Sequence, residues 1–283
     1  MDVAHRMPEL PEVEIIARSL APQLVGRTIL EVERLDWERM VETPSASEFR
    51  QAIAGRRIGA ARRRAKWLLF ELDAGWTLAI HLRMSGRLEI HPPADTARSH
   101  VHLVLRLDNE RRLFFDDERK FGRVRLLDAA GLAALDAAYG PEPLDDRFTA
   151  ADLGRILHGR RTRIKPLLLD QRMIAGMGNI YASEALWMAC INPLTPACAI
   201  EASNVAALHA AIRQVLTSAI EHEGSSLRNY RNGYGLRGQN QEHFLAYDRR
   251  GHPCQRCGTP IERMVVGQRS TFFCPTCQPL PAL

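Results

Sequence analysis

Six cysteines occur in the 283-residue chain, and four of them form one pattern: Cys254-x2-Cys257, sixteen intervening residues, then Cys274-x2-Cys277. Each CxxC turn presents a pair of sulfurs, and a hairpin between the pairs closes them into a tetrahedron, the spacing of a four-thiolate zinc site. Pro253, Gly258 and Pro275 suit the tight turns of such a ribbon. Disulfides are the competing use of these thiols. The opening Met1-Asp2-Val3-Ala4-His5-Arg6 lacks a secretory apolar core, so a cytoplasmic, reducing location is expected and metal is favoured. Four protein ligands leave no open position, so one zinc ion here is expected to be structural. Cys190 and Cys198 fall outside the pattern and read as ordinary reduced cysteines.

The second chemical signal is charge. Lys and Arg number 38 against 33 Asp and Glu, a net +5. Gly55 to Lys66 carries Arg56, Arg57, Arg62, Arg63, Arg64 and Lys66 with no acid, and Arg155, Arg160, Arg161, Arg163 and Lys165 form a second acid-free run. Such clustering suits a polyanion, because each neutralised phosphate releases condensed counterions; a solvated basic surface is the alternative. Apolar residues at 46% and charged residues at 25% exclude collagen-like and disordered classes. No apolar run approaches the roughly 18 residues of a bilayer span, so no membrane association is expected.

These residues must be carried by elements that the periodicity outlines. Pro11 in a first turn, with Val13, Ile16, Leu20 and Leu24 at helical spacing, predicts one N-terminal helix closed by Gly26. Strand-like runs then dominate to about Leu127. Asp73-Ala74-Gly75 and Asp108-Asn109-Glu110 read as hairpin turns between them. Gly140-Pro141-Glu142-Pro143 reads as a linker. Beyond it the spacing predicts helices over Ala150 to Leu157, Pro166 to Asp170, Ile180 to Ala189 and Ser203 to Glu223, with Gly176-Met177-Gly178-Asn179 as a tight turn. Gly224 to Gln241 is glycine-rich and reads as a long mobile loop before the cysteine ribbon.

Met7-Pro8-Glu9-Leu10-Pro11-Glu12-Val13-Glu14 resembles the amino terminus of the formamidopyrimidine-DNA glycosylase (Fpg) family. Further segments resemble it in the same order: Arg64 to Leu69, His81 to Gly86, Arg119 to Gly122, Ile164 to Pro166, Gly176 to Glu184 and Gln268 to Cys274. Leu10 stands where the related endonuclease VIII enzymes typically carry Gly, which favours the purine-directed branch. The resemblance implies an α+β chain: a β-sandwich-like domain with one N-terminal helix, a helical helix-two-turn-helix domain and a four-cysteine zinc ribbon. The expected divisions are residues 1–7 as an extension or removed leader, 8–140 catalytic, 144–224 helical, 225–248 a lesion-covering loop and connection, and 249–283 the ribbon.

The implied activity is base-excision repair: a bifunctional glycosylase and AP lyase that removes oxidised purines such as 8-oxoguanine and formamidopyrimidines from damaged double-stranded DNA, acting as a monomer. The matching nucleophile is Pro8, a secondary amine once the residues before it are removed. It attacks the sugar C1′ and forms a Schiff base that β- and then δ-elimination resolve. Six residues precede Met7. Left in place with Met7 they hold the Pro8 nitrogen in an amide, its lone pair delocalised, so Met7 is the expected start, with Lys66 or Lys165 as the fallback amine. Glu9 would handle protons at the sugar and Glu12 orient the pocket. Lys66 and Lys165 match lysines near the lesion, and Arg269 a ribbon-tip arginine on the flanking phosphates. Met84, Arg119 and Phe121 match the residues that fill the void left by the extruded base. Lys120, in place of a second arginine, His81, Asn179 and Tyr247 match DNA-backbone contacts. Zinc on Cys254, Cys257, Cys274 and Cys277 completes the pattern. The alternatives are an endonuclease VIII-like pyrimidine specificity, or a non-catalytic zinc-ribbon lesion binder if Pro8 stays blocked.

Overall fold

The computed structural model describes residues 7–226 and 230–280. The expected leader, apart from Met7, lies outside them. The chain divides into two compact units: one built up to Ala138 and joined by His222–Gln239, the other from Tyr139–Glu221 joined by Asn240 onward.

The first unit opens with α1 (Leu10–Leu24), whose Val13, Ile16, Leu20 and Leu24 are buried as their spacing requires. Then follow β1 (Ile29–Leu35), β2 (Val41–Thr43), α2 (Ala46–Ile53), β3 (Ile58–Arg64), β4 (Trp67–Leu72), β5 (Thr77–His81), β6 (Arg87–His91), β7 (Val101–Leu107), β8 (Arg112–Asp116), β9 (Arg123–Leu127) and α3 (Ala129–Ala137). The strands form two sheets, ordered β1-β7-β8-β6 and β2-β9-β5-β4-β3. Leu103, Leu105 and Leu107 of β7 alternate inward to meet Leu68, Phe70, Leu78 and Ile80 of the other sheet and the apolar stripe of α1 in one core. This is the β-sandwich-like domain with its N-terminal helix. Both expected hairpins form: β4 pairs with β5 and β7 with β8, each antiparallel. Two further short helices form, α2 within the stretch read as strand-like and α3 just beyond it, and polar caps explain both. Ser45 and Glu48 form a capping box at α2, and Asp128 accepts the Gly131 N–H at α3.

The second unit contains α4 (Ala150–Leu157), α5 (Ile164–Leu169), α6 (Asn179–Met188), α7 (Ala202–Glu221) and the ribbon strands β10 (Glu262–Val266) and β11 (Arg269–Phe273), paired antiparallel. Thr149 and Asp152 form the capping box that starts α4. The helix expected over Pro166 to Asp170 begins two residues earlier, so that Lys165 is the second residue of α5. A proline at the third helical position lacks only an N–H that has no intrahelical acceptor, so the helix begins ahead of it. The ribbon is stitched to the helices by Gln278, whose amide donates to the Ile191 carbonyl at 2.7 Å while its Oε1 accepts the Cys274 N–H at 2.8 Å. Among the described residues no helix is long and apolar enough to cross a membrane.

Candidate active site

In the first unit the half-buried Pro8 stands immediately ahead of α1. The Glu9 N–H donates to Glu12 Oε2 at 2.9 Å, and the other oxygen of the same carboxylate accepts the Ser225 N–H at 2.9 Å. Glu12, 2% exposed, therefore joins the turn carrying Pro8 to the base of the 222–239 segment. That segment is fastened to α1 again where the Gly233 N–H donates to Ser19 Oγ at 2.7 Å. Asn232 organises its turn: Oδ1 accepts the N–H groups of Tyr234 and Leu236, each at 3.0 Å. Tyr234 and Leu236 are left exposed, while Tyr230 packs against the core. Burial, with the Glu12 and Glu223 carboxylates, keeps the Tyr230 phenol neutral.

Lys66 occupies the turn between β3 and β4 and is largely buried. His81, at the end of β5, accepts the Arg83 N–H on Nδ1 at 3.0 Å and meets Trp67 edge-on at 5.0 Å between centroids. Burial, then the positive charges of Arg83, Lys66, Arg125 and Arg123, push its pKa down to about 3. With Nδ1 accepting, the neutral ring carries its proton on Nε2, a hydrogen-bond donor without charge.

The basic run from Arg56 to Lys66 is met by acids within the fold. Four of its arginines are ion-paired with acids from elsewhere in the unit: Arg56 with Asp73 at 3.4 Å, Arg62 with Glu71 at 2.5 Å, Arg63 with Glu14 at 3.0 Å, and Arg64 with Asp136. Glu14, which burial alone would push up, is held below its ordinary range by Arg63 and Arg18. The run is thus mostly compensated within the fold.

Met84 and the Arg119-Lys120-Phe121 triplet lie on two loops, between β5 and β6 and between β8 and β9. Phe121 is 41% exposed, an aromatic with no packing reason to face solvent, and the Arg119 guanidinium lies 4.7 Å from its ring centroid. Met84 is half-buried. The Lys120 ammonium sits 4.8 Å from the Trp37 ring.

In the second unit Lys165 is fully buried; its Nζ donates to Ser183 Oγ at 2.8 Å and to the Ser270 carbonyl at 3.2 Å. Asn179, opening α6, donates from Nδ2 to that same carbonyl at 2.9 Å. Both residues thereby meet the backbone beside Arg269, which begins β11 exposed. Glu184, buried on α6, accepts the N–H groups of Leu245, Ala246 and Tyr247 at 2.8, 2.9 and 2.6 Å, and burial raises its pKa. Tyr247 is buried with its ring against Phe244 and Phe272.

The four sulfurs of Cys254, Cys257, Cys274 and Cys277 lie within 4.8 Å of one another, with Cys254 to Cys277 at 3.9 Å and Cys257 to Cys274 at 3.4 Å. Thiolates about 2.3 Å from a tetrahedral zinc ion stand about 3.8 Å apart, so the cluster fits that metal. The Thr259 hydroxyl and backbone bring the Cys257 thiol down to about 6. Trp187 Nε1–H points at Cys254 Sγ at 3.4 Å, a neighbour that helps fix the sulfur. Cys190 and Cys198 are exposed and outside the cluster.

Several supporting residues escaped the sequence reading: Ser225 on Glu12, Ser183 and Ser270 on Lys165, and Asp117 beneath the two loops of the first unit. Serines and a lone aspartate carry no spacing signature, and only the folded backbone brings them to their partners.

Comparison with known proteins agrees with this geometry. Residues 7–124 match the formamidopyrimidine-DNA glycosylase N-terminal domain, 139–231 the H2TH domain of the same enzymes, and 251–280 the zinc finger found in FPG and IleRS. A formamidopyrimidine-DNA glycosylase of Chloroflexus aggregans is 65% identical over 274 residues, covering 97% of this chain and 99% of its own. One from Chloroflexus aurantiacus is 62% identical, covering 96% and 98%. Among solved structures, a point mutant of the Lactococcus lactis FPG in complex with Fapy-dG-containing DNA superposes with a TM-score of 0.90 at 35% identity, covering 96% of this chain and all of that one. MutM bound to DNA containing carbocyclic 8-oxo-G gives 0.89 at 35%, with the same coverage. Three domain matches in order, and whole-length relatives at such identity, make this chain a member of the formamidopyrimidine-DNA glycosylase family.

Proposed function

We propose that the chain excises oxidised purines from duplex DNA and then cuts the backbone, with Pro8 as the nucleophile. The observation that carries this reading is the double use of Glu12. One carboxylate fixes both the turn that presents Pro8 and the base of the segment matched to the family's lesion loop. The named relatives act on formamidopyrimidines, and Leu10 matches the purine-directed branch.

Freed from Met7, the Pro8 nitrogen is a secondary amine with an ordinary pKa of about 8, so part of it is unprotonated near neutrality. Its lone pair attacks C1′ as the N-glycosidic bond breaks, and the departing base takes a proton. The ring-opened sugar and Pro8 form an iminium. This acidifies C2′, so loss of that proton expels the 3′ phosphate, and a second elimination expels the 5′ phosphate. Glu9, buried beside Pro8, shuttles protons at the sugar. Lys66 and His81 supply one cationic and one neutral donor to the lesion-side phosphates, Asn179 and Arg269 the donors of the second unit, and Tyr247 supports its surface from beneath. Met84, Arg119 and Phe121 replace the extruded base, offsetting an unstacking cost of a few kcal/mol, and Lys120 adds charge beside them.

The reading includes one structural zinc ion on Cys254, Cys257, Cys274 and Cys277 that holds the ribbon bearing Arg269, and a monomer working in the cytoplasm on damaged DNA. Borohydride trapping on an 8-oxoguanine duplex tests it. The chain beginning at Pro8 should become covalently linked, and Pro8→Gly should sharply weaken the linkage. Faster excision of oxidised pyrimidines would reassign the substrate to the endonuclease VIII type. Binding without trapping would leave a lesion-binding protein.

A further inference from the structure

We propose that Ser85 and Asp117 lock the Met84 loop and the Arg119–Phe121 loop into a single insertion unit, which makes them positioning residues for void filling; the inference rests on the function proposed above.

The two loops bridge the same pair of sheets, and their ends lie on paired strands: His81 faces Arg123 across β5 and β9, and Arg87 faces Asp116 across β6 and β8. Pairing at the ends alone does not oblige the tips to move together. Asp117, 1% exposed, supplies the obligation. Its Oδ1 takes the Ser85 hydroxyl, and its Oδ2 accepts the Gly122 N–H at 2.6 Å. Ser85 Oγ in turn accepts the Arg119 N–H at 3.2 Å. One hydroxyl, next in sequence to Met84, is therefore held by both the backbone and the carboxylate of the other loop.

The packing under the loops is equally shared. A Cβ on Gly86 would lie 2.7 Å from the Phe115 ring and 2.5 Å from the Leu82 carbonyl, and one on Gly122 would run into the same ring. Both turns thus close on one side chain of β8, and neither can be raised without disturbing it. Arg83 and Lys120 adopt left-handed backbone with φ of 55° and 57°, a conformation kept in non-glycine residues only where the surroundings enforce it. The Asp117 N–H, bonded to the His100 carbonyl at 2.8 Å, ties the lock to the β7 side of the sheet.

The consequence is energetic. Wedges on independent loops would insert by separate equilibria, and the losses from truncating each would multiply. Wedges on one locked platform enter together, so removing the first already forfeits part of what the second contributes.

The test measures single-turnover excision on an 8-oxoguanine duplex for Met84→Ala, Phe121→Ala and their double variant, in the parent and in Ser85→Ala. A 2-aminopurine opposite the lesion reports void filling directly. In the parent, the double variant should lose at least about fivefold less than the product of the single losses. In Ser85→Ala the product rule should return to within about twofold, and Ser85→Thr, which keeps the hydroxyl, should restore the departure from it. Asp117→Asn, of the same size, is read by the same criterion should Ser85→Ala not fold. Multiplicative losses in the parent, or an unchanged departure without the Ser85 hydroxyl, overturn the lock. A parent that cannot be trapped by borohydride overturns the enzymatic reading instead, so the two failures are distinct.

Discussion

Lys165 and Asn179 converge on one acceptor: the Ser270 carbonyl takes Nζ at 3.2 Å and Nδ2 at 2.9 Å. A fully buried ammonium and an amide from the start of α6 thus grip the backbone next to Arg269. Lys165→Met removes the charge but keeps the stem, leaving Ser183 and Ser270 each short of a donor. The expected cost is about 1–3 kcal/mol of stability by thermal denaturation, with weaker DNA binding and the zinc retained.

Glu12→Gln should leave DNA affinity nearly intact and slow excision about tenfold to a hundredfold. An amide offers one acceptor oxygen where the carboxylate uses two, so either the Glu9 or the Ser225 N–H loses its partner. Single-turnover rates beside a binding isotherm check the split. An equal loss in both would assign Glu12 to the fold alone.

His81 should remain neutral down to about pH 3, visible in the pH titration of its ring protons by NMR. The sign of the linkage follows. Its folded pKa lies below the unfolded value near 6.5, so the unfolded chain binds the proton first as pH falls. Stability is full above about 6.5 and declines between about 6.5 and about 3, by at most about 1.4 kcal/mol per pH unit from this group. His81→Gln should flatten that part of the stability profile.

Binding to a lesion duplex should weaken with salt at a log–log slope of about −4 to −5, as for roughly five neutralised phosphates. Arg269→Ala should reduce the slope by about 1. A near-flat dependence would remove the phosphate footprint.

Elemental analysis should find one zinc ion per chain. Cys257→Ser or chelation should release it and weaken DNA binding, because the ribbon that carries Arg269 is closed by those sulfurs. Unchanged binding after zinc loss would show the ribbon to be dispensable.

The features most legible in the sequence are local ones. The cysteine spacing gives the cluster outright, the Asp73-Ala74-Gly75 turn gives its hairpin, and α4 runs over Ala150–Leu157 as its periodicity states. What stayed hidden depends on distance along the chain. The arginines of the first basic run find Glu14 and Asp136 at separations of 49 and 72 residues, so a stretch without acids is not an unpaired one. Glu12 reaches Ser225 across 213 residues. The family motifs supply the candidate residues; the partners that hold them had to await the fold.

The return of His222–Gln239 to the first unit bears on how the protein is made. A nascent chain that has emerged only as far as Ala138 has all nine strands of the sandwich but lacks the segment that engages Glu12, Ser19 and the core through Tyr230. The ribosome must deliver the whole helical stretch before the first-made portion is complete, so a premature stop there yields a fragment whose Pro8 turn is missing its tie to Ser225.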